Sequence, residues 1–212
     1  MKVIKVSPRN FKKIVEIATK LIKEGKILVF PTDTVYGLLA DAKNEKVIKR
    51  VFKIKKRLKR KPTPIFVKDI RMAKNLAYID KFQEKFLKKI WPGKVTIILK
   101  RKNILPNILF SNKKTIGLRI PNYKLVNNLL EKLDFPLTGT SANISGKPPS
   151  TKIKEVINQF KKKKMQPDVI LDAGNLKPSL PSTVINLTKR PKILRQGAEK
   201  IKIKKLIKSE SL

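Results

Sequence analysis

Residues 31–38 read PTDTVYGL and follow the apolar run Ile27 to Phe30. A turn after a buried strand needs Gly, Asn or Pro. It does not need Thr32, Asp33, Thr34 and Tyr36 together, which put hydroxyls and one carboxylate at a strand's C-terminal end. Three further strand-like runs end in the same manner: IGLR places Arg119 ahead of Ile120-Pro121, PLTGT opens onto Ser141-Ala142-Asn143, and KIL opens onto Arg195-Gln196-Gly197. The carboxyl ends of strands in α/β sheets are where ligands bind. Each residue also has an ordinary structural use, since Thr and Ser cap helices, Asn turns chains and an arginine can sit at the surface. Four such ends in one chain point to a site.

The basic stretch Lys53 to Lys61 has two readings. It is the solvated end of a helix, or, if the chain is extended there, an alternation that turns Lys55 and Arg57 into a cleft as a point charge and a bidentate fork for phosphate or carboxylate. Spacing leaves both open. The segment GTSANISGKPPS can wrap phosphates with backbone N–H groups. It is not a P-loop, because Lys147 is followed by Pro148 and the Walker spacing fails. No G-x-G-x-x-G occurs, and the chain has neither cysteine nor histidine. That removes disulfides, thiol nucleophiles, Cys/His metal sites and imidazole acid–base chemistry. A nucleotide site of Lys, Arg, Ser and Asn without an obvious base fits phosphoryl or nucleotidyl transfer, where positioning and charge stabilisation supply most of the catalysis.

The elements that must position these residues follow from periodicity. Val3 to Val6 reads as a short strand, and Ser7-Pro8 opens a helix with Phe11, Ile14, Val15, Ala18, Leu21 and Ile22 at helical spacing until Gly25 ends it. Ile27 to Phe30 is a buried strand, and Asn44 opens a helix with Val47, Ile48, Val51 and Phe52 on one face. A strand Ile65 to Val67, a helix from about Asp69 and a helix carrying Phe82, Phe86, Leu87 and Ile90 follow, the last broken by WPG. VTIILK is the clearest strand. TIGLRIP, a helix around Leu125 to Leu133, FPLTGTSAN, a helix from about Lys152 to Phe160, DVILDAG, STVINL and KILRQGA complete the alternation, and the tail IKIKKLIKSESL reads as a short helix. One α/β domain over residues 1–212 with a mixed sheet is the economical architecture.

A fold of 212 residues buries roughly 70% of its unfolded surface. The formal charge is +37, from 52 Lys+Arg against 15 Asp+Glu, and only nine of the cations are arginine. Such a field attracts polyanions, and the lysine excess fits a surface for nonspecific RNA as well as a compositional bias toward A/T-rich codons. The N-terminus has no apolar signal core and no apolar run nears about 18 residues, so a cytoplasmic protein with no membrane span is expected.

FPTDTVYGL, KKRLKRKPTPIFV, WPGKVTIIL, TIGLRIPN, GTSANISGKP, STVINL and ILRQGA stand in one order over about residues 10–198. In that order and at about those intervals they resemble the YrdC/TsaC family of L-threonylcarbamoyladenylate synthases, in its short, single-domain form. The resemblance implies a twisted mixed parallel/antiparallel sheet with flanking helices and a basic cleft. It implies an enzyme that joins L-threonine, bicarbonate and ATP, the last with Mg2+, into threonylcarbamoyl-AMP and pyrophosphate. A partner transferase would then pass the threonylcarbamoyl group to the adenosine next to the anticodon of tRNA.

The family's K-x-R and S-x-N signatures fall on Lys55, Arg57, Ser141 and Asn143, implied as catalytic, with Arg57, Ser141 and Asn143 also toward ATP. By the same resemblance Thr32, Thr34, Arg119, Thr140 and Ser182 are threonine contacts, while Lys61, Thr115 and Arg195 lie toward the nucleotide. Asp33 reads as a turn-organising carboxylate. Two positions depart from relatives: Leu58 stands where many have proline, and Phe66 where some longer ones have histidine. The alternative is a double-stranded RNA-binding or ribosome-assembly module, which needs the lysines but not the strand-end polar set. The carbamoyl-transferring relative in hydrogenase-maturation proteins brings cysteine-rich zinc motifs that this chain lacks.

Overall fold

The computed structural model describes residues 1–56 and 62–209. Its first half runs β1 (Lys2–Lys5), α1 (Phe11–Lys23), β2 (Leu28–Phe30), β3 (Gly37–Leu39), α2 (Glu45–Lys55), β4 (Ile65–Phe66), α3 (Ile70–Leu76), α4 (Lys81–Ile90) and β5 (Val95–Lys100). The second half runs β6 (Thr115–Arg119), α5 (Lys124–Leu133), β7 (Leu137–Thr138), β8 (Thr140–Ser141), α6 (Ile153–Phe160), β9 (Val169–Asp172), β10 (Thr183–Asn186), β11 (Lys192–Arg195) and α7 (Lys200–Ser209). Among the described residues no helix is long and apolar enough to cross a membrane.

The helices begin where side chains can satisfy their first N–H groups. Asn44, Asp69 and Asp80 accept from the N–H of Val47, Met72 and Gln83 at 3.2, 2.6 and 2.7 Å. Ser7-Pro8 opens a 3-10 turn, Pro8–Asn10, ahead of α1, with the Ser7 N–H donating to Asn10 Oδ1 at 2.8 Å. Gly25, at φ 74°, ends α1 as the sequence suggests, and the Lys26 N–H closes the turn on the Leu21 carbonyl at 2.9 Å.

The α/β class with mixed pairing holds, but the strands divide between two sheets. The first has the order β1-β9-β2-β3-β8 and the second β11-β10-β5-β6-β4-β7. The division falls inside FPLTGTSAN. β7 pairs antiparallel with β4 in the second sheet, and β8, one residue later, pairs antiparallel with β3 in the first. Gly139 is the residue between them, its N–H donating to the Pro64 carbonyl at 2.7 Å. A Cβ at Gly139 would lie 2.3 Å from the Phe66 ring. The crossing thus depends on backbone passing directly against an aromatic face, which only glycine allows.

The second sheet is apolar on one face and mostly polar on the other, as period-two alternation requires. Val95, Ile97, Leu99, Ile116, Leu118 and Ile185 are at most 2% exposed and share one apolar cluster with Met72, Leu76, Phe86 and Leu87. Thr96, Ile98, Thr115, Arg119, Val184 and Asn186 take the opposite face. The antiparallel register of β5 with β6 sets Ile97 against Leu118, and the parallel register of β5 with β10 sets Thr96 beside Val184. A second cluster joins Ile14, Val15, Ala18 and Ile22 of α1 with Leu125, Leu129 and Leu130 of α5 and with Leu28, Phe30 and Phe66. Phe66 therefore touches both the crossing glycine and that core.

Gly139→Ala should lower stability by about 1–3 kcal/mol, the usual range for overpacking, read as the free energy of urea unfolding. Adding Phe66→Leu should recover part of that loss; no recovery would show that the cost arises elsewhere.

Candidate functional site

A cavity of about 690 Å³ lies over the polar face of the second sheet. Its floor is the row Thr96, Ile98, Thr115, Arg119, Val184 and Asn186, and its walls come from Thr32, residues 34–37, residues 139–141, Asn143, Pro181-Ser182 and Leu194-Arg195. Among the described residues Lys113, Arg119 and Arg195 line it, and no Asp or Glu does. A polyanion entering such a cleft meets no like charge.

Nine residues singled out in the sequence share this cavity: Thr32, Thr34, Thr115, Arg119, Thr140, Ser141, Asn143, Ser182 and Arg195. Arg57 and Lys61, with Leu58, lie outside the described residues. Lys55 is the last residue of helical α2, not part of an extended stretch, and is 1% exposed. Ser182 stands just before β10 and Thr115 opens β6, so the carboxyl-end rule reaches Arg119 and Arg195 but not these two.

The hydrogen bonds separate residues that hold the site from residues still able to bind. Lys55 Nζ donates to the Ser141 carbonyl, to the Asn143 carbonyl at 2.8 Å and to Asn143 Oδ1 at 3.0 Å. The Lys55 carbonyl in turn accepts from the Ser145 N–H at 2.7 Å. Asn143 Oδ1 also accepts from Ser141 Oγ at 2.6 Å, and Asn143 Nδ2 donates to the carbonyls of Ile144 and Lys147 at 3.2 and 2.5 Å. An asparagine amide has two donors and two acceptor sites. All four are taken, so Asn143 acts by shaping the loop around Ser141, whose oxygen keeps its lone pairs.

The same count explains PTDT. Thr32 Oγ1 donates to the Val35 carbonyl at 2.6 Å and accepts from the Thr34 N–H at 3.1 Å. Its contact with Thr34 Oγ1 at 3.1 Å must then be donated by Thr34, because a hydroxyl has one proton. Thr34 Oγ1 accepts in addition from Arg119 Nη1 at 3.1 Å. Thr32 is thereby saturated and fixes the turn, whereas Thr34 retains one acceptor lone pair. Thr140 Oγ1 and Thr115 Oγ1 have no protein partner among the described residues and border the cavity.

Arg119 is 3% exposed and held on three sides. Nε donates to the Gly93 carbonyl at 2.9 Å, Nη1 to Thr34, and Nη2 to Asp33 Oδ1 at 2.5 Å. Burial pulls its pKa down and Asp33 pushes it back up, but a guanidinium stays charged throughout. Arg195 lies near enough for its charge to act on Arg119, with Nε and Nη2 donating to the Ser182 carbonyl at 3.2 and 2.7 Å; burial lowers its pKa as well. Ser182 Oγ bonds Thr96 Oγ1 at 2.9 Å. The Tyr36 hydroxyl donates to the Gly174 carbonyl at 2.7 Å and accepts from the Ala173 N–H at 3.1 Å. Burial raises its pKa further above an already high value, so Tyr36 is a neutral strut.

Sequence reasoning missed Thr96, Asn186 and Lys113. The first two were within reach: in VTIILK and STVINL, the positions alternating with Val95, Ile97, Thr183 and Ile185 must face away from the core. Lys113 carried no such signal.

Residues 20–197 match the Sua5/YciO/YrdC family, described as telomere recombination. The chain belongs to this family. Among its relatives, a Methanocaldococcus jannaschii protein that carries threonylcarbamoyl-AMP synthase as a provisional name is 39% identical over 187 residues, 88% of this chain and 86% of that one. The threonylcarbamoyl-AMP synthase of Pyrococcus abyssi is 35% identical over 181 residues, and the match spans 85% of this chain but 52% of the relative's length. A crystal structure of P. abyssi Sua5 complexed with L-threonine superposes with a TM-score of 0.88 at 32% identity, covering 99% of this chain and 61% of that one. This Sua5/YciO/YrdC domain thus spans about half the length of the Pyrococcus protein and most of the Methanocaldococcus one.

Lys55→Met should cost about 2 kcal/mol or more in chemical denaturation, since it leaves buried carbonyl and amide oxygens without their charged donor. An unchanged unfolding midpoint would remove Lys55 as the brace of the 141–145 loop.

Proposed function

We propose that the chain is a threonylcarbamoyl-AMP synthase, a nucleotidyltransferase acting on L-threonine, bicarbonate and ATP as a single YrdC-like domain. The observation that carries this reading is a cleft with no Asp or Glu among its described lining residues, where a clamped arginine stands beside small hydroxyls and a second arginine lies near enough to act on it electrostatically. The names of the Sua5 relatives and the threonine complex of one of them support it.

In this reading Arg119 receives the threonine carboxylate, with Thr34 and Thr140 beside the amino acid's polar groups and Thr32 and Ser182 fixing the walls. The amine adds bicarbonate with loss of water to give a carbamate, and a carbamate oxygen attacks the α-phosphorus of ATP as pyrophosphate leaves. Arg195 and Thr115, with Arg57 and Lys61 assigned by sequence, serve the nucleotide. Ser141, held by Lys55 and Asn143, faces the reacting groups. No carboxylate or imidazole is needed in the cleft because the chemistry rests on alignment and on charge stabilisation of the phosphates.

Among the described residues no three acidic, histidine or cysteine side chains gather as cation ligands. Mg2+ in nucleotide sites is held largely by the substrate phosphates, and none of these steps is routed through it. A transferase acting on tRNA would consume the mixed anhydride.

Pyrophosphate release should require both L-threonine and bicarbonate, with serine slower and alanine about 10-fold slower or more, because a site that binds a hydroxyl penalises its absence. Equal turnover with alanine would overturn the substrate assignment.

A further inference from the structure

Asp33 is one of only 15 carboxylates in a chain with 52 lysines and arginines, and its side chain is 6% exposed. Most of the other ion pairs lie at the surface, where long side chains are hydrated and pairing contributes little. The Asp33–Arg119 pair is different, because both side chains are nearly fully buried and the contact is 2.5 Å. The second carboxylate oxygen accepts the Asn122 N–H at 3.0 Å. Asp33 thus joins the turn after β2, in the first sheet, to the chain leaving β6, in the second.

A guanidinium has five N–H donors in a rigid planar fork. Three of those of Arg119 are directed at Gly93, Thr34 and Asp33, leaving one N–H on each Nη. Arg119 lines the main cavity, whereas Asp33 and Gly93 line a separate one of about 230 Å³. The anchoring contacts to Asp33 and Gly93 thus lie on the side away from the main cavity. A fork held from behind and open in front matches a carboxylate, which takes two parallel N–H bonds.

We propose that Asp33 is a positioning residue for the amino-acid substrate, aiming the two remaining N–H groups of Arg119 at a free α-carboxylate. This rests on the amino-acid reading of the cleft given above. It adds to that reading a residue behind the arginine on which preference for a free α-carboxylate over its amide or ester depends. Simple electrostatics predicts the opposite sign for removal of Asp33. Without its negative charge the site becomes more positive and a carboxylate should bind more tightly. Positioning predicts weaker binding, because an unheld arginine must be ordered by the ligand itself.

The test uses the full chain and calorimetric titration with L-threonine and with L-threoninamide, followed by pyrophosphate-release kinetics with threonine and ATP varied separately. Wild type should prefer threonine to threoninamide. Asp33→Ala should raise the Kd and KM for threonine by about 10-fold, the scale of one charge-assisted hydrogen bond. It should lose most of the preference over the amide and leave the KM for ATP within about twofold. Asp33→Asn keeps an acceptor for Arg119 but sets its amide against the Asn122 N–H, so it should fall between; if the alanine variant does not fold, this variant decides by the same criteria. Tighter or unchanged threonine binding in a folded variant overturns the proposal, as does an equal rise in both KM values. If wild type binds threonine yet releases no pyrophosphate, the synthase reading fails while the titrations still judge Asp33. If wild type binds neither amino-acid ligand, both fail.

Discussion

The close passage of Gly139 against Phe66 is the constraint on which the molecule depends. Within five residues the chain leaves the second sheet as β7 and enters the first as β8, and the cavity is the space between the sheets thus joined. Phe66 supports the crossing from below while packing into the apolar cluster of α1 and α5, and the Arg119 guanidinium lies over its ring at 5.7 Å. The same ring therefore sets where the sheets meet and bounds the arginine that faces the cavity. The Asp33–Arg119 pair closes the junction from the other side.

Counting donors and acceptors changes the standing of several polar residues. Asn143 and Thr32 have no hydrogen-bonding capacity left for a ligand, and Lys55 is occupied by the carbonyls and amide of the loop it braces. They stiffen the walls. Among the described residues, groups with capacity to spare include Thr34, Arg119, Arg195, Thr140, Thr115 and the Ser141 oxygen. A rigid polar shell that is already satisfied leaves little to reorganise when charge develops, which is how preorganised sites lower barriers.

The charge of +37 acts at a different range. Outside the cleft, Lys74 and Lys88 hold the half-buried Glu84 carboxyl below its usual range, and Lys68 does so for the exposed Asp134. These contacts sit in water and contribute little to stability. The net field draws anions toward the molecule, and a cleft without Asp or Glu among its described lining residues suits its concentration, because low-dielectric walls weaken screening. Lys161 to Lys164, exposed at the end of α6, belong to the general field and not to the cavity lining.

Most element types and boundaries were legible in the sequence, because starts such as Asn44 and Asp69 and the spacing of Ile14, Val15, Ala18 and Ile22 are local signals that the tertiary fold does not contradict, whereas the short β3 after the PTDT turn was not. The polar strand ends at Thr34, Arg119, Ser141 and Arg195 were legible for the same reason, and the motif order carried the family. The split into two sheets was not, since strand pairing is a long-range choice and TGT reads identically whether the chain stays in one sheet or changes. Nor was the division of labour among the polar residues: whether Asn143 or Thr32 can still bind a ligand depends on partners such as Lys55, Lys147 and Val35, whose approach is fixed only once the sheets pack. Sequence determines which groups are present and which local segment carries each one; the tertiary structure alone decides which of their hydrogen bonds are already made, because burial forces polar groups to pair with whatever the fold brings within reach.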